Sequence, residues 1–184
     1  MAEDRKTPDN FHRGVRVLVD KDNVSSYIVP SGFKPVSALS VDERTFIRVI
    51  DMFFISVVYI AKQIIRGELW TAKTRENDMR LLLLQMLEWH AKALHGDDYD
   101  VWHGGRFIHE WIDQETFKEL KNTFSQYDEA DTLRGLLDSI SLFRRIASET
   151  ADRLGLKYPQ DTDNHITDWI TKNTESKLIK PVSL

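Results

Sequence analysis

The sequence of 184 residues contains no cysteine. This absence excludes disulfide bonds, thiolate nucleophiles and sulfur-ligated zinc, and it is consistent with a reducing cytoplasm. Long apolar runs are also missing: the longest, Met52 to Ala61, has about ten residues, whereas a membrane-spanning helix needs about 20. The first ten residues are polar and acidic, where a secretory signal would be basic and then apolar. We therefore expect a soluble, cytoplasmic protein without a membrane partner.

The sequence also lacks a strong charge of either sign. Its formal net charge is −4, and charged residues make up 29% of the chain. A mixed and mildly acidic surface does not suit phosphate backbones, so we expect no nucleic-acid partner. Hydrophobic residues make up 41%, which is enough for one ordinary core. One main domain with appendages is the prediction.

The segment Gly14 to Asn23, GVRVLVDKDN, predicts one short strand, because β-branched residues are bounded by glycine and by an Asp/Asn turn. No second strand is indicated, so this orphan strand must pair outside the chain, for example in a homodimer, or belong to a sheet that is not part of it. We expect residues 1–13 to be a disordered tail, residues 14–39 to be a terminal strand and linker, and residues 177–184 to be a tail.

Apolar periodicity predicts a long first helix. Ser40 and Glu43 have the spacing of a capping box, and the apolar positions that follow recur every three or four residues until about Leu69. A second helix is expected to begin at Thr74 or Asn77. It is apolar on nearly every side, which predicts the central helix of the bundle, and it should end at Gly96.

Three further helices are expected. Asp113 and Asp128 are predicted N-caps, the second helix of this pair should end at Gly155, and a last short helix surrounds Ile166 to Ile170. The predicted fold class is therefore all-α, a bundle of about five helices preceded by the orphan strand, with a helical domain over residues 40–176.

Possible metal ligands do not form a convincing site. His90 and His95 are five residues apart, which turns them away from each other on a helix. Asp20 and Asp22 could hold Mg²⁺ at a strand end, but a β-turn is the favoured explanation because no phosphate-binding loop accompanies them. The segment Asp161 to His165 lacks the glycine of a calcium loop. We predict no metal site in this chain.

Lys62 and Arg66 form a first candidate binding site. They are four residues apart and so share a helix face, in what the pattern indicates is a deep apolar stripe. One interpretation is two cations that extend to carboxylates such as Glu68 and Asp78 at a helix end. The other is a pair of cations for a polyphosphate.

The second candidate is the stretch EWHAKALHGDDYDVWHGGRF, Glu88 to Phe107. Aromatic rings can stack on apolar sugar faces, and carboxylates bind ammonium or guanidinium groups, so the stretch suits a polyhydroxylated cation. A loop whose aromatic side chains fill the end of the bundle is the alternative. The candidate ligand-binding residues are Asp97, Asp98, Asp100, Trp102, His103, Arg106 and Phe107.

Two blocks of the sequence resemble a known family. YIAKQIIRGELWTAKTRENDMRLLLLQMLEWHAKALHGDDYDVWHGGRFIHEWID and FSQYDEADTLRGLLDSISLFRRIASETADRLGLKYP are similar to the C-terminal helical half of the aminoglycoside 6-adenylyltransferases, which inactivate streptomycin. The resemblance extends over about Gly14 to Thr174. RVLVDKDN resembles the strand that closes the family's N-terminal nucleotidyltransferase domain.

The resemblance implies an enzyme family that transfers AMP from Mg-ATP to an aminoglycoside hydroxyl. It implies that Lys62 and Arg66 face the ATP phosphates, that Trp102 and its neighbours line the acceptor side, and that the aspartates of the stretch bind the cationic drug. The chain has no match to the family's catalytic Gly-Ser loop and paired aspartates. Since metal and in-line geometry supply most of phosphoryl-transfer catalysis, we expect no catalytic residue and no activity in this chain alone.

ATP and Mg²⁺ would then be bound only in a complete enzyme, with the missing nucleotidyltransferase domain as a partner of this chain. Two alternatives stay open. The chain could be a non-catalytic binder of aminoglycosides or nucleotides that works by itself. It could instead be a helical interaction module that dimerises through Gly14 to Asp20.

Overall fold

A computed structural model describes residues 16–23, 25 and 41–178, with side chains described up to residue 174. Helices dominate this part of the chain, and the predicted all-α fold is confirmed there. A 3₁₀ turn, His103–Gly105, lies between the second and third helices. The helices are α1 Glu43–Arg66, α2 Leu69–His95, α3 Ile108–Trp111, α4 Gln114–Asn122, α5 Glu129–Leu154 and α6 Gln160–Leu178.

The described part of the predicted strand, residues 16–23, has no regular secondary structure. Gly14 and Val15 lie outside the described residues. Val17, Leu18 and Val19 are exposed, so the apolar side chains of this segment are not part of the core. A strand needs ladder hydrogen bonds to a neighbour, and no such neighbour occurs among the described residues. Pairing with a second copy of the chain stays a prediction.

Two helix starts differ from the sequence prediction. The N-cap of α1 is Asp42, whose carboxylate accepts a hydrogen bond of 2.7 Å from the Thr45 amide, and not Ser40, which lies outside the described residues. α2 begins at Leu69, earlier than the predicted Thr74. The side chain of its N-cap, Glu68, makes no capping bond, so no local signal marks this start.

Gly67 turns the chain between α1 and α2. Its φ of 75° places it in the left-handed region that favours glycine, and its amide donates to carbonyls in the last turn of α1. The two helices run antiparallel, since Phe46 near the start of α1 lies with its ring centroid 6.3 Å from that of Trp89 near the end of α2. This hairpin places the loop after α2 at the end where α1 begins.

Capping predictions for the later helices are confirmed. Asp113 and Asp128 each accept a hydrogen bond of 2.8 Å from the amide three residues further on. Gly155 ends α5 with a φ of 67°. α6 has 19 residues and is much longer than the short helix predicted around Ile166 to Ile170.

The core lies where α1 meets α5. Phe53 of α1 and Phe143 of α5 stack with ring centroids 3.7 Å apart, and Phe54 meets Phe143 edge to face. α1 packs against α2, α5 and α6 and buries its predicted apolar face. The prediction that α2 is the central helix was wrong, because Leu81 is 59% exposed. Some leucines of α2 are buried in the core, and others lie on the surface on another side of the helix.

A buried ion pair joins α5 to α6. Asp163 is fully buried, and the Arg144 guanidinium donates to both of its carboxylate oxygens, over 2.5 Å from Nε and 2.7 Å from the NH2 group. The Tyr158 hydroxyl donates to the same carboxylate over 2.9 Å. Bidentate geometry and the extra donor compensate for removing this carboxylate from water. The pair sets the position of the first turns of α6.

Replacing Asp163 should therefore destabilise the bundle. We expect Asp163→Asn to lower the free energy of unfolding by about 3 kcal/mol, because the Arg144 charge loses its buried partner. Urea denaturation followed by circular dichroism measures this loss. The matched control is Asp168→Asn, at an exposed position of the same helix, which should change stability by less than about 0.5 kcal/mol. Equal effects of the two variants would contradict a structural role for the ion pair.

Candidate functional site

The loop over residues 96–107 connects α2 to α3 and carries the second group of candidate residues. Trp102 has a φ of 51° and a ψ of 153°, a backbone conformation that is strained for any residue with a side chain. An Asp100 carboxylate oxygen accepts a hydrogen bond of 3.0 Å from the Trp102 amide. Such strain costs about 1–3 kcal/mol and occurs preferentially at binding and catalytic sites.

Two pairs of aromatic side chains flank this loop. Trp102 and Phe107 meet at an interplanar angle of 67° with ring centroids 4.7 Å apart. His95 stacks on Tyr99 at 4.3 Å. Phe107 is exposed, whereas Trp102 is half-buried and packs against the core. The aromatic residues therefore both anchor the loop and present ring surface to solvent, which combines the two interpretations of this stretch.

The remaining candidate residues of the loop lie on its surface. Asp97, Asp98, His103 and Arg106 are exposed, and Asp100 is partly buried. The backbone carbonyl of Arg106 accepts a hydrogen bond of 3.0 Å from the indole nitrogen of the buried Trp111, which ties the end of the loop to the bundle. The predicted ligand-binding residues thus belong to one ordered loop with carboxylates near its start and aromatic rings near its end.

Glu88 of α2 lies close to this loop and was missed as a candidate from the sequence. It is one helical turn from Leu84, and a Cβ at Gly105 would lie 3.3 Å from a Leu84 methyl group, so the loop folds back onto this part of α2. Burial raises the pKa of the Glu88 carboxyl to about 7, against the opposing effect of Lys92. The sequence signal that could have identified Glu88 is a carboxyl group within the apolar segment LLLLQMLEWHA.

His90, considered above as a metal ligand, has a structural partner. The side chain is buried, and its Nε2 lies 2.7 Å from a carboxylate oxygen of Glu149 on α5. The other oxygen of Glu149 accepts from Arg145, which also binds Glu119 of α4. This chain of polar contacts joins α2, α4 and α5 behind the loop and accounts for a histidine in the core.

Lys62 and Arg66 are both exposed, so the prediction that they lie deep in an apolar stripe was wrong. Their face of α1 turns outward beside α6, where the Lys62 ammonium lies 5.8 Å from the ring centroid of Trp169. Neither cation pairs with Glu68 or Asp78 among the described residues, and Asp78 instead binds Arg75 over 3.4 Å. Carboxylate pairing within the described part of the chain therefore does not account for these two cations.

The structure does not bring the two candidate groups together. Lys62 follows Phe46 by about 16 residues on α1, which corresponds to about 24 Å along the helix axis. Phe46 packs on Trp89, near the end of α2 from which the loop departs. The two cations therefore lie near the opposite end of the α1–α2 hairpin from the loop.

No helix in the described part of the chain is long and apolar enough to cross a membrane.

The sequence of the chain is similar to those of known adenylyltransferases. A family model described as streptomycin adenylyltransferase matches residues 2–173. Aminoglycoside 6-adenylyltransferases from Bacillus subtilis (strain 168) and Staphylococcus aureus are each 27% identical to the chain, over 154 and 169 residues. These alignments cover 83% and 88% of the chain but 54% and 57% of the two relatives.

A solved structure agrees with the sequence comparisons. The crystal structure of an aminoglycoside 6-adenyltransferase from Bacillus subtilis superposes with a TM-score of 0.67 at 25% identity. The match covers 72% of this chain and 51% of that protein. The chain thus spans about half the length of the relatives that it matches.

The position of Glu88 predicts a pH effect on stability. Its pKa is about 7 in the folded chain and 4.5 ordinarily, so the folded state binds more protons between these values and stability falls as pH rises through this window. We expect Glu88→Gln to remove this dependence and to be more stable than the parent chain at pH 8. Urea midpoints at pH 5 and pH 8 measure the difference. Glu115→Gln, at an exposed carboxyl, is the control; a parent-like pH dependence in Glu88→Gln would contradict the assignment.

Proposed function

Because the chain belongs to the streptomycin adenylyltransferase family, we propose that it is the helical, substrate-binding part of an aminoglycoside 6-adenylyltransferase-like protein. In the complete enzyme, AMP would pass from Mg-ATP to a hydroxyl group of the aminoglycoside. This chain would supply a wall of the acceptor site. The alignments cover 54% and 57% of the relatives named aminoglycoside 6-adenylyltransferase, which leaves room in them for a catalytic domain.

The loop over residues 96–107 is the observation that carries this proposal. It offers the exposed carboxylates of Asp97 and Asp98 together with the ring surface of Phe107 beside Trp102. Streptomycin combines sugar rings with guanidinium groups. Rings bind the apolar faces of sugars, and carboxylates form charge-assisted hydrogen bonds with guanidinium groups. The strained backbone of Trp102 supports a binding role, since a loop without function has no reason to retain that cost.

Lys62 and Arg66 are the proposed contacts of the ATP phosphates. Both are exposed, and neither is neutralised by a carboxylate among the described residues. Lys62 lies about 24 Å along α1 from Phe46, which packs near the end of α2 where the loop begins, so nucleotide and drug would have to lie end to end along the hairpin. The acceptor hydroxyl must still approach the α-phosphorus of ATP to about 3 Å, so the phosphates nearest these cations would be the β- and γ-phosphates, which leave as pyrophosphate.

The catalytic groups of the reaction are not among the residues that we assign. The chain has no Gly-Ser loop with paired aspartates to hold Mg²⁺. Removing the metal and the in-line geometry removes most of the catalysis of phosphoryl transfer. We therefore propose binding without turnover for the chain by itself, which is also the behaviour of the alternative, a non-catalytic aminoglycoside binder.

Streptomycin binding by the 184-residue chain tests the proposal directly. We expect heat of binding in calorimetry, and a loss of at least about tenfold in affinity for the double variant Asp97→Asn, Asp98→Asn, because charge-assisted hydrogen bonds are lost. Trp102→Ala should weaken binding as well. The control Asp168→Asn removes the same type of charge from α6, far along the chain from the loop, and should bind as the parent does.

Each outcome of this titration distinguishes the hypotheses. Equal weakening by Asp168→Asn would mean a general charge effect and would contradict the assignment of the loop. No heat at all would favour the interaction module, for which the exposed Val17, Leu18 and Val19 provide an apolar surface. Sedimentation of the parent beside Val17→Pro then tests dimerisation through this segment.

Inorganic tripolyphosphate tests the two cations without the reaction. At low ionic strength we expect weak binding that the double variant Lys62→Gln, Arg66→Gln loses, because phosphate binding depends on unneutralised cations. Lys172→Gln, at an exposed position of α6, is the control. Binding that all three proteins share would overturn the assignment of Lys62 and Arg66 while leaving the loop's role open to the streptomycin experiment.

A further inference from the structure

A cavity of about 350 Å³ lies between α2 and α4, behind the turn that ends the loop. Gly105 borders it, but the residues that we propose for aminoglycoside binding do not. Its wall is almost entirely apolar, and it is distinct from the loop surface described above. The lining residues that matter here are Leu84, Leu87, Ile108, Phe117, Leu120 and Phe124.

Two cations stand at this cavity, each against an aromatic ring of the wall. The guanidinium carbon of Arg80 lies 4.6 Å from the ring centroid of Phe124. The ammonium of Lys121 lies 4.4 Å from the ring centroid of Phe117. Cation–π contacts of this kind hold a charge in place beside an apolar surface without neutralising it. The cavity therefore has an apolar interior with fixed positive charge at its edge.

The positive charge at this edge is only partly neutralised by nearby carboxylates. Arg80 shares the buried carboxylate of Glu76 with Lys73, over 2.8 Å and 3.0 Å, so two cations have one anion between them. Lys121 forms no ion pair among the described residues. None of the described lining residues is acidic. An anionic group placed between Arg80 and Lys121 would meet attraction from both sides.

The volume of the cavity limits the size of the ligand that it can hold. A cavity of about 150 Å³ holds one benzene molecule in an apolar protein core. The cavity here has about twice that volume, which corresponds to a bicyclic ring system. We propose that this cavity binds a small aromatic carboxylate of bicyclic size, with its rings between Leu84, Ile108 and Phe117 and its carboxylate between Arg80 and Lys121. This site does not depend on the proposed adenylyltransferase role.

2-Naphthoate is the probe that tests the proposal. We expect saturable binding to the full chain with a dissociation constant on the order of 100 µM, from the usual efficiency of ligands of this size. 2-Naphthalenemethanol has the same rings without the charge and should bind about tenfold more weakly, because it cannot form the charge-assisted contacts. Calorimetry, or amide shifts in NMR spectra, measures both ligands.

Variants on α4 distinguish the contribution of the ligand's charge to binding from that of its rings. Lys121→Gln should weaken naphthoate about tenfold and leave naphthalenemethanol unchanged, since only the anion uses the ammonium. Lys118→Gln is the matched control, because Lys118 is exposed on the same helix and does not line the cavity. Its affinity for naphthoate should equal that of the parent. Circular dichroism shows that each variant is folded.

Three results would overturn the proposal. Equal affinity for naphthoate and naphthalenemethanol would mean an apolar cavity without anion selectivity. Equal weakening of naphthoate binding by Lys121→Gln and Lys118→Gln would mean a general charge effect. No binding of naphthoate, together with a dimer in sedimentation that Phe124→Ser disrupts, would mean that this surface is an interface between copies of the chain.

Discussion

The stacking of Phe53 on Phe143 is the contact on which the rest of the bundle depends. It joins α1 to α5 at the centre of the core, with ring centroids 3.7 Å apart. Around these two helices, α2 runs back along α1, and α6 packs against both α1 and α5. Close packing of this kind tolerates few alternatives, because loss of a buried aromatic ring leaves a cavity that the neighbours cannot fill. The surface features described above are attached to this frame.

The loop after α2 shows how that frame supports the surface that we propose for aminoglycoside binding. Its start is set by the end of α2 at Gly96 and its end by the bond from the Trp111 indole to the Arg106 carbonyl. Between these points, the Asp100 carboxylate holds the Trp102 amide. A loop fixed at both ends and in the middle can keep a strained residue in place, and it loses little entropy when a ligand binds. Loops of this kind commonly carry function on a rigid scaffold.

The cations described above differ in whether they pair with a carboxylate of the fold. Arg144 and Arg145 are bound to carboxylates that lie at helix contacts, and they join α5 to α6 and to α4. Lys62, Arg66 and Lys121 have no such partner among the described residues, and two of them lie over aromatic rings. A cation with a carboxylate of its own has little capacity left for a ligand, whereas a cation that is unpaired, or that shares one carboxylate with a second cation, can bind an anion. The proposal for phosphate uses Lys62 and Arg66, and the proposal for an aromatic carboxylate uses Lys121 together with Arg80, which shares the Glu76 carboxylate with Lys73.

Local chemistry in the sequence determined the helices: the caps Asp113 and Asp128, the stop at Gly155 and the apolar face of α1 were all read correctly, and the family resemblance of the helical blocks is confirmed. These features depend on neighbouring residues, which a sequence displays. Tertiary structure alone decided that Lys62 is exposed and far from the loop, that Glu88 is partly buried near it, and that α2 and α4 border an open cavity. Burial and distance depend on which helices meet, and periodicity shows only that a face is apolar, not what covers it.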